Sequence, residues 1–190
     1  MRKIFVDTET TGISVTNGHR IIELGAIEVD SNITKKNSFH CYLNPERLID
    51  PHAIKVHGIT DEFVANKPKF KDIISDFIDF VHGAELIMHN ASFDQSFIDN
   101  ELSLAGSDYK LEEICKITDT LKIARELHPG ENNSLDGLCS RYSVNELDRS
   151  FHGALLDAEI LSQVYSKIFQ TNHLILLHPY LDKHTYQRDK

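Results

Sequence analysis

The chain has 190 residues, of which 41% are hydrophobic and 26% charged, proportions typical of one folded domain rather than a disordered or fibrous chain. No apolar run approaches the roughly 18 residues that span a bilayer, and the N-terminus lacks the apolar stretch of a signal peptide. The net charge of −9 disfavours non-specific binding of nucleic acid, unless bound cations neutralise a local cluster of carboxylates. Three widely spaced cysteines favour a reducing compartment, so we expect a cytoplasmic protein without a membrane partner.

Hydrophobic patterning predicts that three strands, over residues 4–6, 20–29 and 38–43, precede the first helix. Residues 44–68 form a polar connection with little periodicity, and a helix is expected over 71–81.

The second half of the chain alternates between the two kinds of element. A strand over 86–88 precedes a helix that Ser92 caps and that ends near Leu104. The elements predicted after it are a strand over 114–117, helices over 120–127 and from Asn133 or Ser134 to Cys139, and a long helix over 154–169. This order predicts an α/β fold with a mixed β-sheet flanked by helices.

The first cluster of chemically active residues follows the first strand, in the segment DTETTG. Because side chains alternate along a strand, Asp7 and Glu9 point to one face of the sheet, together with Phe5. Two carboxylates on one face repel each other unless a cation or a proton lies between them. An isolated pair of this kind is usually a solvated strand end, but α/β sheets commonly place their sites at such ends.

A second carboxylate, Asp94, lies in the first turn of the helix that follows the predicted strand 86–88. It would stabilise the helix N-terminus through the macrodipole, and this role is compatible with binding a metal. Nearby, Asn90 either satisfies backbone groups of the turn or contacts a substrate, and the sequence does not decide between them. Phe93 and Phe97 have the spacing of a helical pair in the core.

The third segment, HGALLD, places Asp157 one turn into the last helix, near its apolar face, where an unpaired carboxylate is costly to bury. His152 and Asp157 cannot converge within one regular helix, because five residues rotate by about 140° net. They can converge if His152 lies on the loop before the helix and Gly153 allows the turn. A partly exposed histidine there suits a general base near neutral pH.

Four carboxylates and one histidine in three segments define a specific chemical hypothesis. Oxygen ligands with open positions suit Mg²⁺ or Mn²⁺ better than zinc. Two such ions about 3.5–4 Å apart can support an in-line displacement at phosphorus, and a nearby histidine can take the proton of the attacking water.

These three segments, DTETTG, HNASFD and HGALLD, resemble in order the three motifs of the DEDDh exonuclease superfamily. The resemblance implies a ribonuclease H-like fold and two-metal 3′→5′ hydrolysis. It assigns Asp7, Glu9, Asp94 and Asp157 as ligands of two divalent ions, and His152 as the general base. The tyrosine subclass has a Tyr four residues before the last aspartate, where this chain has Gly153, so the histidine subclass is the match.

Further segments narrow the resemblance to the proofreading epsilon family of bacterial DNA polymerase III, over about residues 1–170. They are Leu43–Pro45, Val56–Ile59 with Asp61–Phe63, Asn133–Leu135 and Arg141–Tyr142. The resemblance implies that the terminal nucleotide is held by the backbone around Thr8, Thr10 and Gly12 together with His57, Asn90 and Phe93. The alternative roles are a loop-capping histidine, a turn asparagine and a core phenylalanine.

The expected function is therefore metal-dependent removal of mispaired 3′-terminal nucleotides as 5′-monophosphates. The implied partners are a single-stranded or frayed DNA 3′ end, the alpha (polymerase) subunit, a theta-like subunit and a sliding clamp. Two alternatives remain open: a DEDDh exoribonuclease that trims RNA 3′ ends, and a non-catalytic module that stabilises a polymerase. We expect residues 1–170 to form the exonuclease domain and 171–190 a short tail, shorter than the polymerase-binding extension usual in the epsilon family.

Overall fold

In the computed structural model, which describes residues 1–30, 34–144 and 151–171, five strands form one mixed sheet in the order β3-β2-β1-β4-β5. The strands are β1 (Lys3–Thr10), β2 (Ile21–Val29), β3 (Lys35–Tyr42), β4 (Glu85–Met88) and β5 (Lys116–Asp119). The first three strands pair antiparallel, whereas β4 and β5 run parallel to β1. The predicted α/β class and mixed sheet are confirmed.

Eight helices surround this sheet within the described ranges. They are α1 (Pro51–His57), α2 (Asp61–Val64), α3 (Phe70–Val81), α4 (Ala91–Leu104), α5 (Leu111–Ile114), α6 (Thr120–Leu127), α7 (Leu135–Tyr142) and α8 (Ala154–Thr171). None of the helices in this part of the chain is long and apolar enough to cross a membrane.

The two faces of the sheet are covered by different helices, because residues of β1 alternate between two apolar clusters. Ile4 and Val6 pack with α3 and α4, and Phe5 packs with α8. Gly25 of β2 allows α8 to lie directly on the sheet, since a Cβ at this position would be 2.3 Å from the backbone nitrogen of Leu155. The close approach brings the start of α8 beside β1 and β2.

Several predicted boundaries are wrong for identifiable reasons. The connection 44–68 contains two short helices, α1 and α2, which have too few turns to show an apolar period. The residue that caps α4 is Asn90, in the left-handed conformation with φ 69°, and Ser92 lies inside the helix. Ile114 ends the short helix α5, and the fifth strand begins at Lys116.

Other predictions differ from the structure by a few residues at the ends. Strand β1 continues to Thr10 and β3 begins at Lys35. Helix α6 has the predicted bounds, and Ser134 caps α7 by accepting a hydrogen bond from the Gly137 nitrogen at 3.1 Å. The predicted tail beyond residue 171 lies outside the described residues.

Candidate active site

Strand β1 carries the first two carboxylates past the end of its parallel neighbour. Strand β4 pairs only with residues 3–5 of β1, so Asp7 and Glu9 lie beyond that paired stretch. Both side chains are partly buried, and they share the face of β1 that Phe5 presents to α8. The strand therefore delivers two carboxylates to the edge where β4 ends and α8 begins.

Asp94 approaches from the other face of the sheet, in the first turn of α4. It is only 3% exposed, and its Oδ1 accepts a hydrogen bond of 2.7 Å from the Thr8 hydroxyl. Burial raises the pKa of Asp94 to about 7 despite that hydrogen bond, since removing a carboxylate from water disfavours its charge.

His152 and Asp157 converge as the loop hypothesis required. His152 precedes α8, and its Nδ1 lies 3.0 Å from Oδ2 of Asp157. Asp157 is 4% exposed, whereas the His152 side chain is 42% exposed. The backbone nitrogen of His152 also donates to the carbonyl of Val56 in α1 at 3.1 Å, which fixes the loop against that helix.

Asp7 is at the electrostatic centre of the cluster. Burial raises its pKa well above the usual range, and the charges of Asp94, Glu9 and Asp157 raise it further. A group of carboxylates with this much mutual repulsion is stabilised by cations. Ligand atoms of Glu9, His152 and Asp157 all lie within 4.8 Å of one another, a spacing that could hold a metal ion. The donor set thus fits a divalent cation.

A cleft of about 240 Å³ opens over these residues. Asp7, Glu9, Asp157 and His152 line it, together with side chains from α7 and the residue before it. We call it the catalytic cleft. Asp94 does not line it and reaches the cluster from behind, next to Thr8.

The six residues predicted to hold a nucleotide are placed around the end of β1 and the N-terminus of α4, and their roles stay predictions. The hydroxyls of Thr8 and Thr10 are engaged with Asp94 and with the Gly12 carbonyl, each at 2.7 Å. Asn90 is exposed, and Phe93 packs on Phe97 with ring centroids 4.9 Å apart.

His57 has the most informative surroundings of these six. It is buried, and its Nδ1 accepts a hydrogen bond from the Ile59 nitrogen at 3.0 Å, so the ring proton is on Nε2. That Nε2 makes no well-formed hydrogen bond among the described residues, although the backbone of Thr10 lies near it. Burial lowers the pKa of His57, which keeps the ring neutral. The backbone of Thr10 opposes this shift, and the nearby His152 adds to it. A buried donor without a partner is costly, and a bound ligand would supply one.

Two residues near the cluster were not predicted as site residues. Glu23 of β2 lies opposite Glu9, is 3% exposed, and contacts the Nε2 of His40 through Oε1 at 2.8 Å. A charge in the middle of the apolar run Ile21–Ile27 was the available signal. His89 directly follows β4 and joins two distant segments. Its Nε2 donates to the Asn133 carbonyl and its Nδ1 contacts the Thr120 hydroxyl, both at 2.9 Å.

Comparison with known proteins identifies relatives of the whole described region. The sequence profile of the family described as Exonuclease (RNase_T) matches residues 4–165. The chain is 52% identical over 169 residues to the DNA polymerase III subunit epsilon of Salmonella typhimurium, covering 86% of this chain and 70% of that protein. It is 50% identical over 169 residues to the Escherichia coli subunit of the same name, with the same coverage. The resemblance inferred from the motifs is confirmed.

Solved structures share the fold. Exonuclease X in complex with 5′-overhanging duplex DNA superposes with a TM-score of 0.70 at 26% identity, covering 90% of this chain and 93% of that chain. The nuclease domain of 3′hExo, a DEDDh family member bound to rAMP, gives a TM-score of 0.75 at 17% identity, with 90% and 92% coverage. A zinc-bound form of the E. coli exonuclease I complex with single-stranded DNA gives 0.77 at 19% identity, with 96% and 43% coverage. The ribonuclease H-like fold is therefore confirmed.

Proposed function

This chain belongs to the exonuclease family, and from that premise we propose that it removes mispaired nucleotides from DNA 3′ ends as the proofreading subunit of a DNA polymerase III. The observation that carries the proposal is the contact of His152 Nδ1 with Asp157 Oδ2 at 3.0 Å, with Glu9 in reach of both side chains. It places a histidine beside a carboxylate cluster at an open cleft. The identity of about half with epsilon subunits supports DNA as the substrate.

Four carboxylates would hold the metal: Asp7, Glu9, Asp94 and Asp157. Two divalent ions, Mg²⁺ or Mn²⁺, would when bound neutralise the four charges and stabilise negative charge on the reacting phosphate. Thr8 keeps the Asp94 carboxylate in one orientation through its 2.7 Å hydrogen bond.

His152 is the proposed general base. A carboxylate oxygen only accepts hydrogen bonds, so the contact with Asp157 places the ring proton on Nδ1. The basic nitrogen is then Nε2, which takes the proton of the water that attacks the terminal phosphodiester. The P–O bond to the 3′ oxygen of the preceding nucleotide breaks, and a nucleoside 5′-monophosphate leaves. The hydrogen bond from the His152 backbone nitrogen to the Val56 carbonyl holds the loop that carries this base against α1.

The terminal nucleotide would lie between α1 and the start of α4. There His57 Nε2–H is a buried donor without a well-formed hydrogen bond among the described residues, and Asn90 and Phe93 offer an amide and a ring face. Selection for mispaired ends needs no reading of bases, because a frayed end costs less to separate from its template.

The test compares 3′-labelled DNA and RNA strands of one sequence, with Mg²⁺, with Mn²⁺ and with chelator, for the native chain, His152→Ala and His82→Ala. His82 is a matched control because it is an exposed histidine that does not line the cleft. We expect stepwise metal-dependent release from DNA that is lost in His152→Ala alone. Preference for RNA would assign the chain to RNA 3′-end processing, and no cleavage of either strand would favour a non-catalytic module.

The proposed assembly has the alpha (polymerase) subunit as its main partner, with a theta-like subunit and the sliding clamp as further candidates, in the cytoplasm. The names of the relatives support it, and so do three cysteines that form no disulfide. Co-elution of the purified chain with an alpha subunit on size-exclusion chromatography tests it separately from activity. Separate elution at micromolar concentrations would contradict the polymerase contact and leave the nuclease intact.

A further inference from the structure

A second cleft, larger than the catalytic cleft, opens directly beside it. Its volume is about 750 Å³, and it lies between α6 and the loop 128–134. The two clefts share three lining residues, His89, Ser134 and Leu135. We call the larger one the side groove. The two clefts are therefore contiguous, and an extended polymer bound in the catalytic cleft can continue into the side groove.

The loop that forms one wall of the side groove is held in place by a network of hydrogen bonds. Asn133 is buried, and its Nδ2 donates to the carbonyls of His128 and Glu131 at 2.9 and 3.1 Å. Its own carbonyl accepts from His89, and its Oδ1 accepts from Arg141 at 3.2 Å. Arg141 also donates to the Asn132 carbonyl at 3.1 Å. The wall is thus formed before any ligand arrives, which lowers the entropy cost of binding.

Arg125 of α6 lines the side groove and differs from the other arginines. The structure describes five arginines, and four of them have a carboxylate oxygen within 4.0 Å: Arg2, Arg20, Arg47 and Arg141. Arg125 has no such partner among the described residues, and it is exposed. The acidic residue that lines the same groove, Glu131, lies 3.7 Å from Arg141. The side groove therefore contains an uncompensated guanidinium in a chain of net charge −9.

We propose that the side groove binds the nucleic-acid strand on the 5′ side of the scissile phosphodiester, with Arg125 contacting one backbone phosphate. The inference rests on the proposed function, since it requires a strand end in the catalytic cleft. A guanidinium pairs with phosphate through two parallel hydrogen bonds. Among the described residues no Phe, Tyr or Trp lines the side groove, and both ring nitrogens of His89 are engaged, so the contact reads backbone charge and not base identity.

The experiment separates substrates that reach the side groove from one that does not. The native chain, Arg125→Gln, Arg125→Lys and Lys122→Gln are assayed on a single-stranded DNA of about eight nucleotides and on the p-nitrophenyl ester of thymidine 5′-monophosphate. The ester fills the catalytic cleft alone. Lys122 is the matched control because it is an exposed cation on the same helix that does not line the groove.

For Arg125→Gln we expect a KM on the oligonucleotide about tenfold higher at low salt, because the charge-assisted contact of the guanidinium with one phosphate is lost. The kcat on the oligonucleotide and both constants on the ester stay unchanged. The slope of log KM against log salt falls by roughly 0.7, the value for one phosphate on a single strand. Arg125→Lys recovers part of the loss, and Lys122→Gln behaves as the native chain.

Three outcomes would overturn the proposal: an unchanged KM in Arg125→Gln, an equal change in Lys122→Gln, or a parallel loss of ester hydrolysis. In the first two cases intact ester hydrolysis would leave the nuclease proposal standing. A native chain that hydrolyses neither substrate would instead contradict the proposed function itself.

Discussion

Helix α4 carries two buried carboxylates, Asp94 in its first turn and Glu101 in its last, and their surroundings differ. Asp94 is 3% exposed and Glu101 is 1% exposed. Glu101 accepts two hydrogen bonds of 2.7 Å from the guanidinium of Arg20 and one of 3.2 Å from the Ile21 nitrogen. Asp94 accepts a hydrogen bond from the Thr8 hydroxyl, and its neighbour Asp7 is another carboxylic acid whose pKa is raised.

The difference separates a structural carboxylate from one prepared for a ligand. A buried charge costs several kcal/mol unless something compensates for it. At Glu101 the protein supplies the cation itself, so the pair needs nothing from solution. At Asp94 the fold gathers further negative charge, so compensation has to come from bound cations or protons. Four substitutions or changes of condition test this contrast.

The largest effect is expected from Asp94→Asn. We expect hydrolysis to fall by at least about 10³-fold, because a ligand of the metal and its charge are removed together. The metal-free protein becomes more stable at pH 8, since the amide has no charge to bury. Activity with Mg²⁺ and thermal unfolding in chelator measure the two effects. Asp108→Asn, which changes an exposed carboxylate away from the catalytic cleft, should change neither. Loss of stability in Asp94→Asn would refute the contrast.

Removing Arg20, the partner of Glu101, should have the opposite effect: stability falls and activity is kept. Arg20→Ala leaves Glu101 buried without its cation, which typically costs about 3–5 kcal/mol in the free energy of unfolding. Hydrolysis per folded molecule stays near native, because the pair does not line the catalytic cleft. Urea unfolding gives the first quantity and initial rates at low temperature the second. The double variant Arg20→Met with Glu101→Leu should regain most of the stability, and no recovery would count against a simple ion-pair role.

Stability in the absence of metal should also fall as the pH rises, because the pKa of Asp94 is raised in the folded chain. The pKa of Asp94 is about 7 in the folded chain, against an ordinary value of 3.8. Its stabilising contribution is therefore complete below the unfolded value and is lost as the pH rises through about 7. In chelator we expect the free energy of unfolding to fall by roughly 2 kcal/mol between pH 5.5 and 8. Urea titrations at both pH values measure it. Mg²⁺ should abolish the fall, and an increase with pH in chelator would contradict the argument.

The smallest effect is expected from Thr8→Val, which keeps the shape and removes the 2.7 Å hydrogen bond to Asp94. The pKa of Asp94 then rises further, so protons compete better with the metal at neutral pH. We expect the Mg²⁺ concentration for half-maximal activity to rise about five- to tenfold at pH 7 and less at pH 9. Thr16→Val, a control at an exposed threonine between β1 and β2, should leave this Mg²⁺ concentration unchanged. Equal shifts at both pH values would exclude this explanation.

Of the two buried carboxylates on α4, one could be predicted from the sequence and the other could not. The segment HNASFD predicted Asp94 and the helix that holds it, because a strand, a turn and an apolar period are local features. Glu101 was not identified, since its partner Arg20 is 81 positions away and charge pairing over such a separation leaves no periodic trace. The same limit applies to Glu23, whose neighbour Glu9 is fixed only by the pairing register of β1 and β2.

Local errors had a different cause. Asn and Ser are about equal as N-caps by propensity, so the sequence did not show that the turn after β4 places the cap two residues earlier, at Asn90 with its positive φ. The convergence of His152 with Asp157 depended on a loop conformation, and the hydrogen bond to the Val56 carbonyl that stabilises this loop comes from a segment expected to lack regular structure.

The sheet itself has a consequence for behaviour at high concentration. Strand β3 is an outer strand, and an outer strand offers unpaired backbone groups to any other chain. It begins with two exposed lysines, Lys35 and Lys36, and Lys35 also forms an ion pair with Glu159 of α8. The opposite outer strand, β5, has only four residues. The lysines on β3 and the short length of β5 both oppose edge-to-edge pairing of sheets. Crowding alone should therefore not convert this fold into fibrils.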